Sequence, residues 1–115
     1  MLDKIGIGID LVKIEKFRKL EYETNPNFYQ NTFSTSEIEY CFKFSEPSEH
    51  FAGKFALKEA TIKSIGKKIP LTSIITDHIN SQPIVKIENS SEYSFKATLS
   101  HEDEFAVAVV ISENH

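Results

Sequence analysis

Two carboxylates far apart in the chain, Asp10 and Glu59, stand among residue types that could do chemistry together. Glu59 follows Lys58 directly and precedes Lys63 by four residues, within FAGKFALKEATIKSIG, residues 51–66. On a helix that spacing puts Glu59 and Lys63 on one face, where the plainest reading is an ion pair worth about 0.3–0.5 kcal/mol. Their placement suggests more. With Phe51 as origin and about 100° per residue, Phe55, Ile62 and Ile65 form an apolar stripe; Lys58 falls inside it and Glu59 on its flank. Acids and lysines at the margin of a core usually need a reason, such as a metal ion or a phosphate. Asp10 and Glu59 could share a hard divalent ion such as magnesium, which takes one or two carboxylates and completes its shell with waters and phosphate oxygens. A nearby lysine would bind the same phosphate as a compact charge.

The elements that must position these groups can be read from the same residues. In GIGIDLVKIEKF, residues 6–17, strand alternation puts Ile5, Ile7, Ile9 and Leu11 on one face and Gly6, Gly8 and Asp10 on the other. Glycine in a strand marks close approach of a ligand or another backbone. The glycine face therefore reads either as a cleared surface with one acid at its edge, or as tight packing with Asp10 capping the next helix. VKIEKFRKLE, residues 12–21, is helical in composition, and Asn25 with Pro26 ends that helix or marks the following loop. FSTSEIEYCFKF opens a second helix with Ser34 and Glu37 at capping-box spacing, broken by Pro47. The longest helix runs over residues 49–66 and stops at Gly66. SIITDHI, PIVKIE, YSFKATLS and FAVAVVIS then read as strands, the last two joined by the polar turn HEDE. A helix-rich half followed by strands is an α+β arrangement in a single domain, residues 1–115.

With 40% hydrophobic and 26% charged residues, composition is that of an ordinary soluble protein. No apolar run approaches membrane-spanning length and the N-terminus lacks signal-peptide segments, so a cytoplasmic location and no membrane partner are expected. The net charge of −4 argues against nucleic acid as a partner. Lys13, Lys16, Arg18 and Lys19 nevertheless cluster against the lone Glu15, a patch suited to an acidic protein or a phosphorylated small molecule unless it is simply a solvated helix face. Cys41 excludes an internal disulfide and reads as a small buried hydrophobe. His78 and His115 read as surface residues. His101, after Ser100 at a strand end, falls outside the alternation and could meet a ligand, although turn histidines more often face solvent.

Three segments in order, GIGIDLVKIEKF, FAGKFALKEATIKSIG and LSHEDEFAVAVVI, with FSTSEIEYC between the first two, resemble the holo-acyl-carrier-protein synthases, the small type of 4'-phosphopantetheinyl transferase. The resemblance implies that family's fold, with an N-terminal strand, a long central helix and C-terminal antiparallel strands. It implies transfer of 4'-phosphopantetheine from coenzyme A to a serine of apo acyl carrier protein, releasing 3',5'-ADP. Asp10 and Glu59 match the family's magnesium-binding acids, with manganese an alternative because both ions favour oxygen ligands. Lys63 matches the lysine near the pyrophosphate, and Glu59 is the candidate base. Lys58 belongs to the shared KEA motif and His101 matches the histidine near the 3'-phosphate, so the resemblance implies that Lys54, Lys58, Lys63, Pro83, Ser100 and His101 bind coenzyme A. Lys13, Lys16, Arg18 and Lys19 fall where the family docks carrier protein, and a homotrimer with sites between subunits is implied. The family usually has arginine at Lys54, basic residues shortly before EHFAG, glutamate at Lys13, and a glycine-lysine-proline turn where this chain has Ser81, Gln82 and Pro83. A degenerate member that only binds carrier protein or coenzyme A is the alternative implied by those departures.

Overall fold

The computed structural model describes residues 2–115. A short 3-10 turn, Leu2–Lys4, leads into strand β1, Ile5–Lys13, and helices α1, Ile14–Lys19, α2, Pro26–Gln30, and α3, Thr35–Cys41, follow. Helix α4, Pro47–Ile65, is the spine; β2, Ile74–Ile79, β3, Gln82–Ile87, β4, Tyr93–His101, and β5, Phe105–Asn114, complete the chain. The strands form a three-stranded antiparallel sheet in the order β1-β5-β4 and a separate β2-β3 hairpin. Gln82 Nε2 donates to the Ala97 carbonyl at 2.9 Å, tying β3 to β4.

Local chemistry explains most boundaries. Ser34 Oγ accepts from the Glu37 amide at 3.2 Å and Glu37 Oε1 from the Ser34 amide at 2.8 Å, closing the capping box that the spacing predicts. Gly66 ends α4 at φ 68°, with its amide on the Ile62 carbonyl at 3.0 Å. Two prolines act differently from the expectation. α3 has already ended at Cys41, and Pro47 opens α4 as its first residue; Pro26 likewise starts α2. A fixed φ and a missing N–H suit the first turn of a helix, where that N–H would have no partner. β2 and β3 are joined by Asn80 and Ser81, both at positive φ (52° and 67°), as a two-residue hairpin turn requires.

The glycine face of β1 is packed rather than open. A Cβ on Gly6 would lie 1.7 Å from the Ser64 carbonyl oxygen, and one on Gly8 2.0 Å from that of Ala60. The glycines let α4 sit with its backbone directly on the strand. Asp10, on the same face, lies where this contact gives way to a cleft, and the cap position of α1 is Lys13, without a side-chain bond. The apolar set of β1 points outward instead: Ile7, Ile9 and Leu11 are 68%, 58% and 61% exposed. They continue across the sheet to Val107, Val109 and Ile111, which face them in register.

α4 is covered on nearly all sides, by the sheet and by α1, α3 and β2. Phe51 is buried as the stripe predicts, but so are Ala56, Leu57, Lys58, Ala60 and Thr61, while Phe55, Ile62 and Ile65 are only half-buried. Over its first half, Phe51 stacks on Phe17 and meets Tyr29 and Phe33 at ring separations of 4.8 and 5.1 Å. Cys41 is buried in this region, and burial pushes its thiol up to about 12, so it is inert.

Candidate active site

β1 and α4 bring Asp10 and Glu59 to one cleft of 340 Å³, which Lys13, Lys16 and Phe55 also line. Lys63 reaches back across the strand rather than pairing with Glu59. Its Nζ donates to the Ile9 carbonyl at 3.0 Å and to Asp10 Oδ1 at 3.1 Å. The Asp10 side chain is 16% exposed and that of Lys63 55%, so the pair sits at the mouth of the cleft. Lys16 Nζ lies 4.3 Å from the centre of the Phe55 ring, a cation–π contact between two side chains that line the same cleft. Among the described residues no three His, Cys, Asp or Glu side chains converge to cage a metal. Two carboxylates on one cleft do fit an ion that draws its remaining ligands from water and phosphate.

A second pocket, of 190 Å³, gathers Lys54, His101 and Pro83 with Tyr40, His50 and His78. It shares no lining residue with the carboxylate cleft. Lys54 is buried, and its Nζ donates to the Thr76 carbonyl at 3.2 Å and to Thr76 Oγ1 at 2.9 Å. Ser100 does not join this pocket. On β4 it alternates with Leu99 and His101, which line it, and so faces the outer apolar side of the sheet opposite Val107.

Lys58 belongs to neither site. Its side chain is 0% exposed, and Nζ lies 2.7 Å from Glu37 Oε1, 2.9 Å from the Thr32 carbonyl and 2.9 Å from the Leu71 carbonyl. Those three acceptors match the three donors of an ammonium, so none is left for a ligand. Burial draws Lys58 down from the ordinary lysine value and Glu37 opposes it. Burial would raise Glu37, but Lys58, Thr76 and the Ser34 amide together hold its carboxyl below the usual carboxylate value. Glu37 Oε2 also accepts from the Thr76 amide at 2.8 Å and Oγ1 at 2.6 Å, so one carboxylate ties α3, α4 and β2 together.

The basic stretch lies at the surface. Lys13, Lys16, Arg18 and Lys19 border a 460 Å³ groove with Glu15, Asp103 and Glu104, so the acids of the β4–β5 turn temper the patch. Arg18 lies 3.6 Å from Glu15 and 4.0 Å from Glu46. Sequence reasoning passed over His50 and Tyr40 and read His78 as a surface residue. His78 stacks on Tyr40 with ring centres 5.6 Å apart, inside the second pocket. Nothing in local spacing announces this contact, which forms only when β2 packs against α3 and α4.

A strand and a helix of a small α+β fold bring two acids to one cleft and a lysine to one of those acids, a donor set of the kind that suits metal-assisted phosphate chemistry. The family model described as the 4'-phosphopantetheinyl transferase superfamily matches residues 6–110, and the chain belongs to that family. It is 34% identical over 109 residues to a holo-[acyl-carrier-protein] synthase of Thermodesulfovibrio yellowstonii, covering 92% of this chain and 96% of that one. A synthase of the same description from Syntrophus aciditrophicus is 36% identical over 121 residues, covering 94% of each. Among solved structures, the Helicobacter pylori holo-[acyl-carrier-protein] synthase in complex with coenzyme A superimposes with a TM-score of 0.82 at 31% identity, covering 93% of this chain and 99% of that one. A Bacillus anthracis holo-(acyl-carrier-protein) synthase in complex with CoA (3',5'-ADP) gives 0.81 at 28% identity, covering 96% of each.

Proposed function

We propose that this chain, as a single domain over residues 1–115, transfers 4'-phosphopantetheine from coenzyme A to a serine of apo acyl carrier protein, releasing 3',5'-ADP. The observation that carries this reading is the convergence of Asp10 and Glu59, from β1 and α4, on one cleft, with Lys63 bonded to Asp10 beside it. In the reaction the carrier serine oxygen forms a bond to the phosphorus bearing pantetheine, and the anhydride bond to the 5'-phosphate of 3',5'-ADP breaks. Glu59 accepts the serine proton, directly or through a water. Lys63, held at Asp10 and the Ile9 carbonyl, offsets charge on the departing phosphate or protonates it. A magnesium ion, or manganese, held by Asp10 and Glu59 would neutralise pyrophosphate charge when bound. Lys54, His101 and Pro83 form the nucleotide end of the site, Ser100 and Lys58 act through structure, and Lys13, Lys16, Arg18 and Lys19 steer the acidic carrier. The chain would act in the cytoplasm, where coenzyme A and carrier protein meet.

Incubating the protein with coenzyme A, magnesium and an apo carrier protein should add one phosphopantetheine to the carrier by intact-protein mass spectrometry, and a chelator should abolish the gain. No gain with any of several carriers, while coenzyme A still binds, would favour a member that binds without transferring.

A homotrimer with shared sites is part of the same reading. The outward Ile7, Ile9 and Leu11 and their partners on β5 make an apolar sheet face of the kind that marks an interface. The two separate pockets of one chain are consistent with half-sites completed by a neighbour. Ile9→Asp should yield a monomer by light scattering coupled to size exclusion, with transfer reduced at least about tenfold, since a buried unpaired charge opposes association. A wild-type monomer that is fully active would end this part of the reading.

A further inference from the structure

The second pocket holds more titratable nitrogen than the transfer chemistry uses. Its imidazoles come from three elements: His50 from the first turn of α4, His78 from β2 and His101 from the end of β4. The rings are held by stacking. His50 lies on Phe44 with centres 3.7 Å apart and planes 18° apart, and His78 lies on Tyr40 at 5.6 Å and 14°. His101 meets the edge of His50 at 6.5 Å. Nδ1 of His78 is buried with no hydrogen-bond partner, a group that a ligand atom could satisfy. Among the described residues this cluster makes no metal cage. Three imidazoles around a buried lysine instead match an anion rich in acceptors.

The charges facing these rings can be named. His50 meets His101, His78 and Lys54, opposed by Glu49; His78 meets Lys54, opposed by Asp77, whose Oδ1 accepts the His78 amide at 2.8 Å. Glu37 stands behind Lys54, and the two are linked through Thr76. Burial pulls both His50 and His78 below the ordinary imidazole value, and their cationic neighbours pull the same way. Burial and those neighbours therefore bias both rings toward the neutral form until an anion arrives. A phosphate monoester carries close to two charges there and offers three acceptor oxygens, enough to draw protons onto the rings.

We propose that His50 and His78, with His101 and Lys54, form a proton-linked receptor for a terminal phosphate monoester, the 3'-phosphate of coenzyme A. This rests on the coenzyme A reading above. An arginine at such a site would hold its charge at every physiological pH, whereas this pocket must take up protons to bind. Affinity owed to the 3'-phosphate then changes about tenfold per pH unit for each proton taken up.

The test is calorimetric titration of the intact protein with coenzyme A and with 3'-dephospho-coenzyme A, at about pH 6.5 and about pH 8.0, on either side of the histidine range. The preference for coenzyme A should fall at least about tenfold at the higher pH, where one full proton taken up over this span would give about thirtyfold. Coenzyme A binding should take up more protons than dephospho-coenzyme A binding, read in buffers of different ionisation enthalpy. His50→Gln and His78→Gln should each flatten the pH dependence. The proton count on the wild-type protein needs no variant to fold. A preference that is constant with pH, or equal binding of the two ligands, overturns the proposal and leaves the transferase reading standing. Binding of neither ligand at either pH overturns both.

Discussion

Glu59→Gln is expected to lower phosphopantetheine transfer by about 10³-fold or more, because one substitution removes both a proton acceptor and half of the carboxylate pair. The side chain lines the cleft and is not in the buried core, so thermal melting should move little. Asp10→Asn should also cost transfer, with a different signature. The amide would leave Lys63 with only neutral partners, itself and the Ile9 carbonyl, loosening the lysine proposed above to act on the leaving phosphate. Single-turnover mass spectrometry across a magnesium titration separates the two effects. A loss of metal affinity alone is rescued at high magnesium, whereas loss of the base is not. Transfer by Glu59→Gln within tenfold of the unaltered protein at saturating magnesium would remove Glu59 from the chemistry.

The features legible in the sequence are those decided within a few residues. The Ser34–Glu37 capping box and the Gly66 stop depend on contacts no longer than one helical turn, and both appear as spacing predicts. The four later strands and the polar turn between β4 and β5 are equally local. Alternation also gave β1 its two faces correctly, but alternation carries no information about which face is covered. That depends on α4, roughly fifty residues later, and the glycines proved to be seats for its backbone rather than room for a ligand. The amphipathic stripe of α4 failed for a related reason. A helix enclosed on nearly all sides has no polar face for periodicity to find, and small residues rather than large ones mark where it is buried most tightly. The family resemblance pointed to Asp10, Glu59, Lys63, Lys54 and His101; the fold sets Asp10 and Glu59 in one pocket, with Lys63 bonded to Asp10, and Lys54 and His101 in another. It could not separate Lys58 from them, because the partner that engages Lys58 is Glu37, on another helix.

Lys58→Met is expected to destabilise the protein by about 3–5 kcal/mol, the cost of leaving a buried charge without its partner. The methionine would leave Glu37 Oε1 with only the Ser34 amide, and the Thr32 and Leu71 carbonyls would lose their common donor. Glu37→Leu should cost at least as much, since it strands the Lys58 ammonium, the Thr76 amide and hydroxyl, and one half of the capping box. The double variant should recover part of the loss, because two apolar chains of similar volume need no partners. Acid should reveal the same bond in the unaltered protein. Glu37 is held below its unfolded value, so its contribution is fully present above the unfolded carboxylate pKa and is lost as pH falls through the lower folded one. Denaturant melts from neutral pH down into that range should therefore show a loss of stability that is shallower in Glu37→Gln. The single variants also decide what Lys58 is for. If Lys58→Met melts as the unaltered protein does and loses only coenzyme A affinity, the lysine leaves its buried pair to reach the ligand. If stability falls as expected while coenzyme A still binds to the folded fraction, Lys58 is the internal tie that holds α3, α4 and the loop before β2 in place, and Lys54 and His101 are left to meet the nucleotide.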